Sequence, residues 1–184
     1  FGGSEDHTAI LCSRPGQLAQ FSYCPVVRER TVAVPDDLVF VIGVSGVVAE
    51  KTGAAMAQYN RASLRAQALT QLWCQATRRR DPHLSAVLHS ADDAIEQLRG
   101  IIREDAHAEF SQKELLDRLE QFAAESEEII PAVPAELDSE HQDGFAQLVL
   151  RSQRLGAQLL GNQVPQTEFL ASEACELGAI AASA

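Results

Sequence analysis

The sequence predicts an α/β protein of the α+β kind, with antiparallel strands first and a mainly helical region after them. Residues 8–45 are rich in apolar and β-branched residues between turn signals, a pattern typical of strands. From residue 49 onward the chain is rich in Ala, Leu, Gln, Glu and Arg, which favour helices. This change of composition predicts two parts, residues 1–50 and residues 51–184.

Three stretches of the first part have the pattern of strands separated by turns. Residues 8–12 form a short apolar run that ends at Arg-Pro-Gly, where proline fixes φ and glycine accepts a positive φ. Residues 18–23 alternate in polarity, and we expect them to pair with residues 8–12 in an antiparallel hairpin. Residues 26–34 mix valine with charged side chains, which predicts a strand with one solvated face.

Residues 38–44 (LVFVIGV) form the most apolar run of the chain and follow the turn signal Pro-Asp-Asp at residues 35–37. A continuous apolar run of this length is typical of a strand that is covered on both faces. We therefore expect residues 38–44 to form a central strand of the sheet.

The first predicted long helix covers residues 49–80. Its apolar residues recur every four positions, which predicts one buried stripe made of Leu64, Ala68, Leu72 and Ala76. The arginine triplet at residues 78–80 suits the C-terminal end of this helix, where cations interact favourably with the helix dipole. Pro82 disfavours continuation of the helix. A phosphate site at the triplet is the less favoured alternative.

Further helices are predicted along the rest of the chain. Residues 84–102 form one, with a start or break at residues 90–93. Residues 111–114 (SQKE) have the form of a capping box, which opens a helix to about residue 124. The two prolines within residues 129–134 predict a connector.

Two more helices complete the predicted second part. One is expected from about residue 138 to residue 160, followed by Gly161, because glycine suits the residue after a helix C-terminus. The last is expected from about residue 165 to residue 177, with Pro165 in its first turn.

The composition is that of a globular protein, with 46% hydrophobic and 22% charged residues. A net charge of −11 argues against nucleic acid as a partner, because phosphate backbones are bound mainly by Lys and Arg. No apolar run approaches the roughly 20 residues that span a bilayer, so no membrane partner is expected. Most of the negative charge lies in residues 101–143, which we interpret as solvated helical faces rather than as a metal site.

The cysteines and histidines lack the spacing of metal ligands. The cysteines lie in apolar or helical contexts, so we expect reduced, buried thiols and a cytoplasmic location rather than a disulfide framework. The four cysteines are Cys12, Cys24, Cys74 and Cys175.

The stretch best suited to carry chemistry is residues 1–10, where two glycines precede Asp6 and His7. Glycines permit close approach of the backbone to a ligand, and a polar cluster beside a strand is a common position for reacting groups. From these residues alone, a simple turn is the alternative. A half-buried position in a helix is likewise the alternative to a binding role for Tyr59.

Residues 3–7 (GSEDH) are followed by four further short motifs, at residues 41–45 (VIGVS), 59–61 (YNR), 162–170 (NQVPQTEFL) and 178–184 (GAIAASA). In order and spacing these motifs resemble segments of galactokinases, which belong to the GHMP small-molecule kinase family. The resemblance spans nearly the whole chain. It implies that the chain is an internal-to-C-terminal portion of a two-lobed kinase. Residues 1–50 would be the end of the N-terminal lobe, and residues 51–184 the truncated C-terminal lobe.

The resemblance implies an ATP-dependent sugar kinase that phosphorylates the anomeric hydroxyl of galactose or a related sugar. Asp6 would be the catalytic residue and would bind the sugar together with Gly3 and Tyr59. Ser45 would lie near the nucleotide. The implied partners are a small-molecule sugar and ATP, and the implied cofactors are ATP and Mg²⁺, with no metal ligand assigned in this chain.

The sequence departs from the galactokinase pattern around the catalytic position. His7 follows Asp6, Glu5 replaces a commonly apolar residue, and the interval from Ser45 to Tyr59 is longer. Two alternatives therefore stay open. One is another GHMP sugar kinase, acting on a uronic acid, arabinose or a heptose, and the other is a non-catalytic sugar-sensing regulator on the same scaffold.

These 184 residues alone should bind ATP weakly or not at all and should not phosphorylate sugars. The resemblance assigns the N-terminal sugar motif, the phosphate loop and the last glycine-rich motif to other parts of the kinase. Calorimetry with ATP and a phosphoryl-transfer assay on the isolated chain check this expectation. Robust turnover would contradict it.

Overall fold

The computed structural model describes residues 4–48, 55–105, 107–139 and 141–184, with the backbone alone at residues 55–59. The protein is mixed α+β and mostly helical, and the strands of the described part form one two-stranded antiparallel sheet. In chain order the elements are α1 (Glu5–Cys12), β1 (Gln17–Ser22), β2 (Val27–Ala33), α2 (Ala55–Thr77), α3 (Leu84–Leu88), α4 (Ala94–Glu104), α5 (Gln112–Ala123), the π-helical segment Ala124–Ile129, α6 (Ile130–Leu137), α7 (Asp143–Leu155), the π-helical segment Gly156–Leu160 and α8 (Pro165–Glu176).

The hairpin consists of β1 and β2, with Gln17 opposite Ala33 and Ser22 opposite Val27. Both strands were expected, but the strand expected at residues 8–12 is wrong, because these residues belong to α1. A run of five residues, four of them apolar, suits a strand and a helix equally well. Here Glu5 and Asp6 precede them, and acidic side chains favour the N-terminal turn of a helix.

The central strand expected at residues 38–44 is also wrong. This segment has no regular secondary structure. Leu38 is half-buried, but residues 39–44 are exposed, with Val41 and Ile42 at 87% and 89% of full accessibility. Its apolar character predicted burial, but burial in a sheet needs a neighbouring strand. Within the described residues, β1 and β2 pair only with each other.

The main core lies where α2 packs against α3, α4 and α5. α2 buries Ala68 and Leu72 of the expected stripe and half-buries Leu64, but Ala76 is exposed. A helical face follows spacings of three and four residues rather than four alone, so other side chains complete it. Among the side chains that the structure describes, the largest fully buried ones are Leu69, Trp73, Val87, Leu98, Ile102, Leu115 and Leu119.

A smaller apolar cluster attaches the hairpin to the helices. Val32 of β2 packs with Leu137 of α6 and Phe145 of α7, and all three are buried. β2 presents its other residues to solvent, so Val32 is its contribution to this cluster, and Leu18 of β1 packs against the same cluster. The expected solvated face is present, but the opposite face of β2 is also exposed at Arg28 and Arg30.

Several helix boundaries are confirmed. The chain breaks at residues 90–93, between α3 and α4. Ser111 and Glu114 form the expected capping box, in which the Ser111 amide donates to the Glu114 carboxylate over 3.0 Å and the Glu114 amide donates to the Ser111 hydroxyl over 3.3 Å. Gly161 ends the π-helical segment with φ of 66°, and α8 begins at Pro165.

The connector expected at residues 129–134 is wrong, because α5 continues through the π-helical segment Ala124–Ile129 into α6. Pro131 has no N–H to donate to the preceding turn, and it lies directly after the π-helical segment, where the hydrogen-bonding pattern of the helix already changes. The following helix is shorter than expected, since α7 begins at Asp143 rather than near residue 138.

α2 ends at Thr77, before the expected end at residue 80, so the arginine triplet follows the helix instead of forming its last turn. Arg79 donates to both carboxylate oxygens of Asp81, over 2.8 and 3.0 Å, and Trp73 donates its indole N–H to the same carboxylate over 2.9 Å. The hydrogen bonds from Arg79 lower the pKa of Asp81. Of the three arginines, Arg79 therefore stabilises the turn that follows α2.

None of the helices that the structure describes is long and apolar enough to cross a membrane.

Replacing Leu98 by alanine should lower the free energy of unfolding by about 2–5 kcal/mol, because Leu98 is 0% exposed and the change leaves a cavity in the main core. Urea denaturation followed by circular dichroism measures the loss. The matched control is Leu177→Ala, at a leucine that is 87% exposed, where the change should stay within about 0.5 kcal/mol. Equal losses in the two variants would contradict the described core.

Candidate functional site

Asp6 lies in the first turn of α1, and its side chain is exposed. The Ser4 carbonyl oxygen holds this turn by accepting from the amide and the hydroxyl of Thr8, over 2.9 and 2.7 Å. Thr8 is buried, so one side of the turn is fixed while Asp6 faces solvent. Within the described residues the Asp6 carboxylate has no hydrogen bond or ion pair. It is thus free to accept a hydrogen bond or a proton from a ligand.

The other residues that the sequence assigns to the site are placed as follows. Gly3 lies outside the described residues, and Tyr59 is in α2 with its side chain outside them. Ser45 is half-buried, and its hydroxyl oxygen accepts from the Val47 amide over 3.2 Å in a turn that contains Gly46 at φ of 75°. The assembly of Gly3, Asp6 and Tyr59 into one site stays a prediction.

A charged contact fixes α2 two residues after Tyr59. Arg61 donates from Nε to the Glu114 carboxylate over 3.1 Å and also from its terminal nitrogen. The Arg61 guanidinium lies over the Phe110 ring, 5.1 Å from its centroid. These contacts join the N-terminal part of α2 to the capped start of α5.

Glu114 has two roles at this junction, because it closes the capping box and binds Arg61. The hydrogen bond from Arg61, followed by those from the Ser111 amide and hydroxyl, lowers the pKa of Glu114 to about 2. The carboxylate is therefore ionised across the physiological range of pH.

Two further arginines occupy the same side of the helical core. Arg65 is 8% exposed and donates to the Leu160 carbonyl oxygen over 3.3 Å. Arg118 donates to the Ala62 carbonyl oxygen over 3.1 Å and lies over the Phe122 ring. Burial, followed by the charge of Arg65, lowers the pKa of Arg118 to about 10, so the Arg118 guanidinium stays charged at neutral pH.

Sequence reasoning missed this arginine cluster, although one signal for it was present. Residues 51–80 contain basic residues and no acidic one, so the partners of Arg61 and Arg65 have to come from elsewhere in the chain. Those partners lie on α5 and at the end of the segment Gly156–Leu160, about 50 and 95 residues away. Sequence spacing does not identify partners at such separations.

Two surface cavities lie away from Asp6 and Ser45. The larger, of about 1090 Å³, is a groove between α7 and α8, with Arg151 and Arg154 on one side and Glu168 and Glu176 on the other. The smaller, of about 360 Å³, lies among α4, α5 and α7, and acidic, basic and apolar side chains all line it. Of the assigned site residues whose side chains the structure describes, Asp6 and Ser45, neither lines either cavity.

The acidic stretch forms helical faces whose carboxylates pair with basic side chains. Lys113 pairs with Asp117 at 2.6 Å, and Arg151 pairs with Glu128 at the same distance. Among the residues that the structure describes, no group of three or more His, Cys, Asp or Glu side chains is arranged to hold a metal ion.

The four cysteines are free thiols, as expected, but the expectation of burial is wrong. Cys24 is exposed and the other three are half-buried. Cys24 lies in the turn between β1 and β2 with φ of 69°, a position that faces solvent whatever the polarity of its side chain.

The chain matches no family model, and comparison with curated proteins and with solved structures returns no match. The likeness to galactokinases therefore rests on the short motifs at residues 3–7, 41–45, 59–61, 162–170 and 178–184. The galactokinase-like function stays a prediction.

The stability of the chain should fall as the pH falls from about 4.5 to about 2, in part because Glu114 is protonated. Its pKa is lowered in the folded state, so its contribution is present above the unfolded-state pKa and is lost as the pH falls through the folded-state value. Since both partners are partly exposed, solvent screening limits this contribution to about 1 kcal/mol.

Glu114→Gln is the variant that isolates this charge, because glutamine still closes a capping box. Urea denaturation at pH 7 and at pH 2–3 should show a smaller loss on acidification for the variant than for the natural chain. The reverse order would contradict the ion pair.

Proposed function

We propose that this chain forms part of an ATP-dependent sugar kinase of the galactokinase kind, which transfers a phosphoryl group to the anomeric hydroxyl of galactose or a related sugar. The observation that supports the proposal is the position of Asp6. The carboxylate of the GSEDH motif is exposed in a turn anchored by Ser4 and Thr8, and within the described residues it has no partner.

Phosphoryl transfer to a sugar needs a group that orients the attacking hydroxyl and accepts its proton. A carboxylate has this capacity when it is within hydrogen-bond reach of the hydroxyl and is not already paired. Asp6 meets the second condition in the described structure. The partial positive charge at the N-terminus of α1 also favours a negatively charged side chain there.

The proposed sugar contacts come from both predicted parts of the chain. Gly3 would let the backbone approach the sugar closely, because glycine has no Cβ. Tyr59 would offer an aromatic face and a phenolic hydroxyl to the pyranose ring. The ion pair of Arg61 with Glu114 supports this role by fixing α2 close to Tyr59, since binding groups on a rigid element are held with greater precision.

In this proposal ATP provides the phosphoryl group, and Mg²⁺ offsets the charge of its phosphates. The described residues hold no carboxylate cluster suited to a metal, so we assign none of them to Mg²⁺. Ser45 is the proposed contact near the nucleotide, through a hydroxyl that already accepts from the Val47 amide and keeps its proton free to donate.

Asp6→Asn in a longer polypeptide that contains this chain and phosphorylates a sugar should lower kcat by at least about 100-fold, because the amide cannot accept the proton. A coupled assay of phosphoryl transfer over a panel of galactose, galacturonic acid, arabinose and a heptose measures the loss and identifies the sugar.

The matched control is Glu5→Gln, because Glu5 is a second exposed acid in the same turn of α1. It should keep nearly full turnover, and both variants should keep the natural circular dichroism. Near-normal turnover of Asp6→Asn would remove Asp6 from the catalytic role, and equal losses in both variants would indicate an effect of charge on α1 alone.

A further inference from the structure

The short helix α3 has a histidine at each end, and the proposed function uses neither of them. His83 is the N-cap residue of α3, and His89 is its C-cap residue. Imidazole is the side chain whose ordinary titration, at about pH 6.5, falls within the physiological range. A hydrogen bond that needs one particular protonation state of either ring therefore makes α3 sensitive to pH.

At the start of α3 the His83 ring is a hydrogen-bond acceptor. Its Nδ1 accepts from the Ala86 amide over 3.1 Å, in the place that a serine or aspartate oxygen usually takes at a helix N-terminus. A ring nitrogen accepts only while it carries no proton, so this bond needs the neutral ring. Protonation of His83 removes the cap, because Nδ1 then carries a hydrogen that points at another donor.

At the end of α3 the His89 ring is in the opposite situation, because both of its nitrogens face acceptors. Nδ1 lies 2.8 Å from the Ser85 carbonyl oxygen, and Nε2 lies 3.0 Å from the Glu127 carboxylate. Both contacts are hydrogen bonds only when the ring carries two N–H groups, which is the charged imidazolium form. A neutral ring has one N–H, so it keeps one of the two bonds and loses its charge opposite the carboxylate.

The contact of His89 ends on the π-helical segment Ala124–Ile129. Glu125 and Glu128 of the same segment bind a hydroxyl and a guanidinium group of α7. Neither of those partners titrates near neutral pH, whereas the partner that α3 provides does. Glu127 therefore gives the segment one contact whose strength depends on pH. Segments of π-helix are frequent at functional sites, so a change in how this one is held can affect more than α3.

The other titratable and charged groups around α3 do not replace these contacts. Among the described residues, Glu127 is the acid that forms an ion pair with a histidine of α3. Asp81 is already bound by Arg79, and α2 and α4 cover α3 mainly with apolar side chains. The surrounding groups are Cys74 on α2, Arg78, Arg79, Arg80 and Asp81 before α3, Asp92 and Asp93 before α4, and Glu127 on the π-helical segment.

We propose that α3 responds to pH in opposite directions at its two ends. As the pH falls through the imidazole range, the cap at His83 is lost, while the link from His89 to Glu127 becomes tighter. The cap needs a neutral ring, so it stabilises α3 above this range, and the link needs a charged ring, so its full contribution is present below it. The proposal does not depend on the kinase function.

Hydrogen exchange of the Ala86 amide tests the cap. The matched variant is His83→Asn, because asparagine is a good N-cap residue whose acceptor oxygen does not titrate in this range. The exchange rate of the natural chain, divided by that of the variant at the same pH, should rise at least about threefold between about pH 8 and about pH 5.5. Comparison at equal pH removes the pH dependence of the exchange chemistry itself.

A double-mutant cycle of His89→Ala and Glu127→Ala tests the link. Since both side chains are partly exposed, the variants should keep the natural circular dichroism. The coupling is the part of the shift in urea midpoint that is not additive, and it should be at least about twice as large at about pH 5.5 as at about pH 8. The control is His141→Ala, at an exposed histidine outside α3, which should show no coupling with Glu127→Ala.

Three outcomes would overturn the proposal. The first is a ratio of Ala86 exchange rates that stays constant or falls on acidification. The second is a coupling between His89 and Glu127 that is equal at the two pH values or larger at the higher one. The third is an equal coupling of Glu127 with His141, which would indicate a general effect of charge rather than a contact at the end of α3.

Discussion

The packing of α2 against α4 and α5 is the interaction on which the rest of this structure depends. Trp73 lies at its centre with 1% of its surface exposed, and its indole N–H is bonded to Asp81 beyond the end of the helix. A buried N–H without this acceptor would cost about 1–3 kcal/mol. The same carboxylate binds Arg79, so burial of the ring and the turn from α2 towards α3 depend on one acid.

The packed helices α2, α4 and α5 have an apolar end around Trp73 and a polar end around Arg65 and Arg118. Around Trp73 the contacts are almost wholly apolar, whereas around Arg65 and Arg118 guanidinium groups bind backbone carbonyls of neighbouring segments. Partners for buried charges have to be placed with precision, because an unpaired buried charge is strongly unfavourable. The polar end therefore specifies how α2, α5 and the segment Gly156–Leu160 fit together, and the apolar end provides most of the burial.

Local signals in the sequence predicted local features well. The capping box at Ser111, the stop at Gly161 and the start of α8 at Pro165 each depend on a few adjacent residues. Features that depend on distant residues were missed or misjudged. Residues 38–44 were expected to be buried, but burial needs a neighbouring strand, and the partners of Arg65 lie far along the chain. For the proposed site, the motif predicts Asp6 as the catalytic residue, but its place in the first turn of α1 was not predicted.

The double role of Glu114 has a consequence for how this sequence can vary. Arg61 and Ser111 bind the same carboxylate, one from α2 and one from the start of α5. Each bond fixes the rotamer that the other requires, so the two residues are thermodynamically linked through a shared acceptor. Their contributions are then not additive, and a substitution at either residue changes what the other tolerates. In related sequences, residues 61, 111 and 114 should therefore be substituted together.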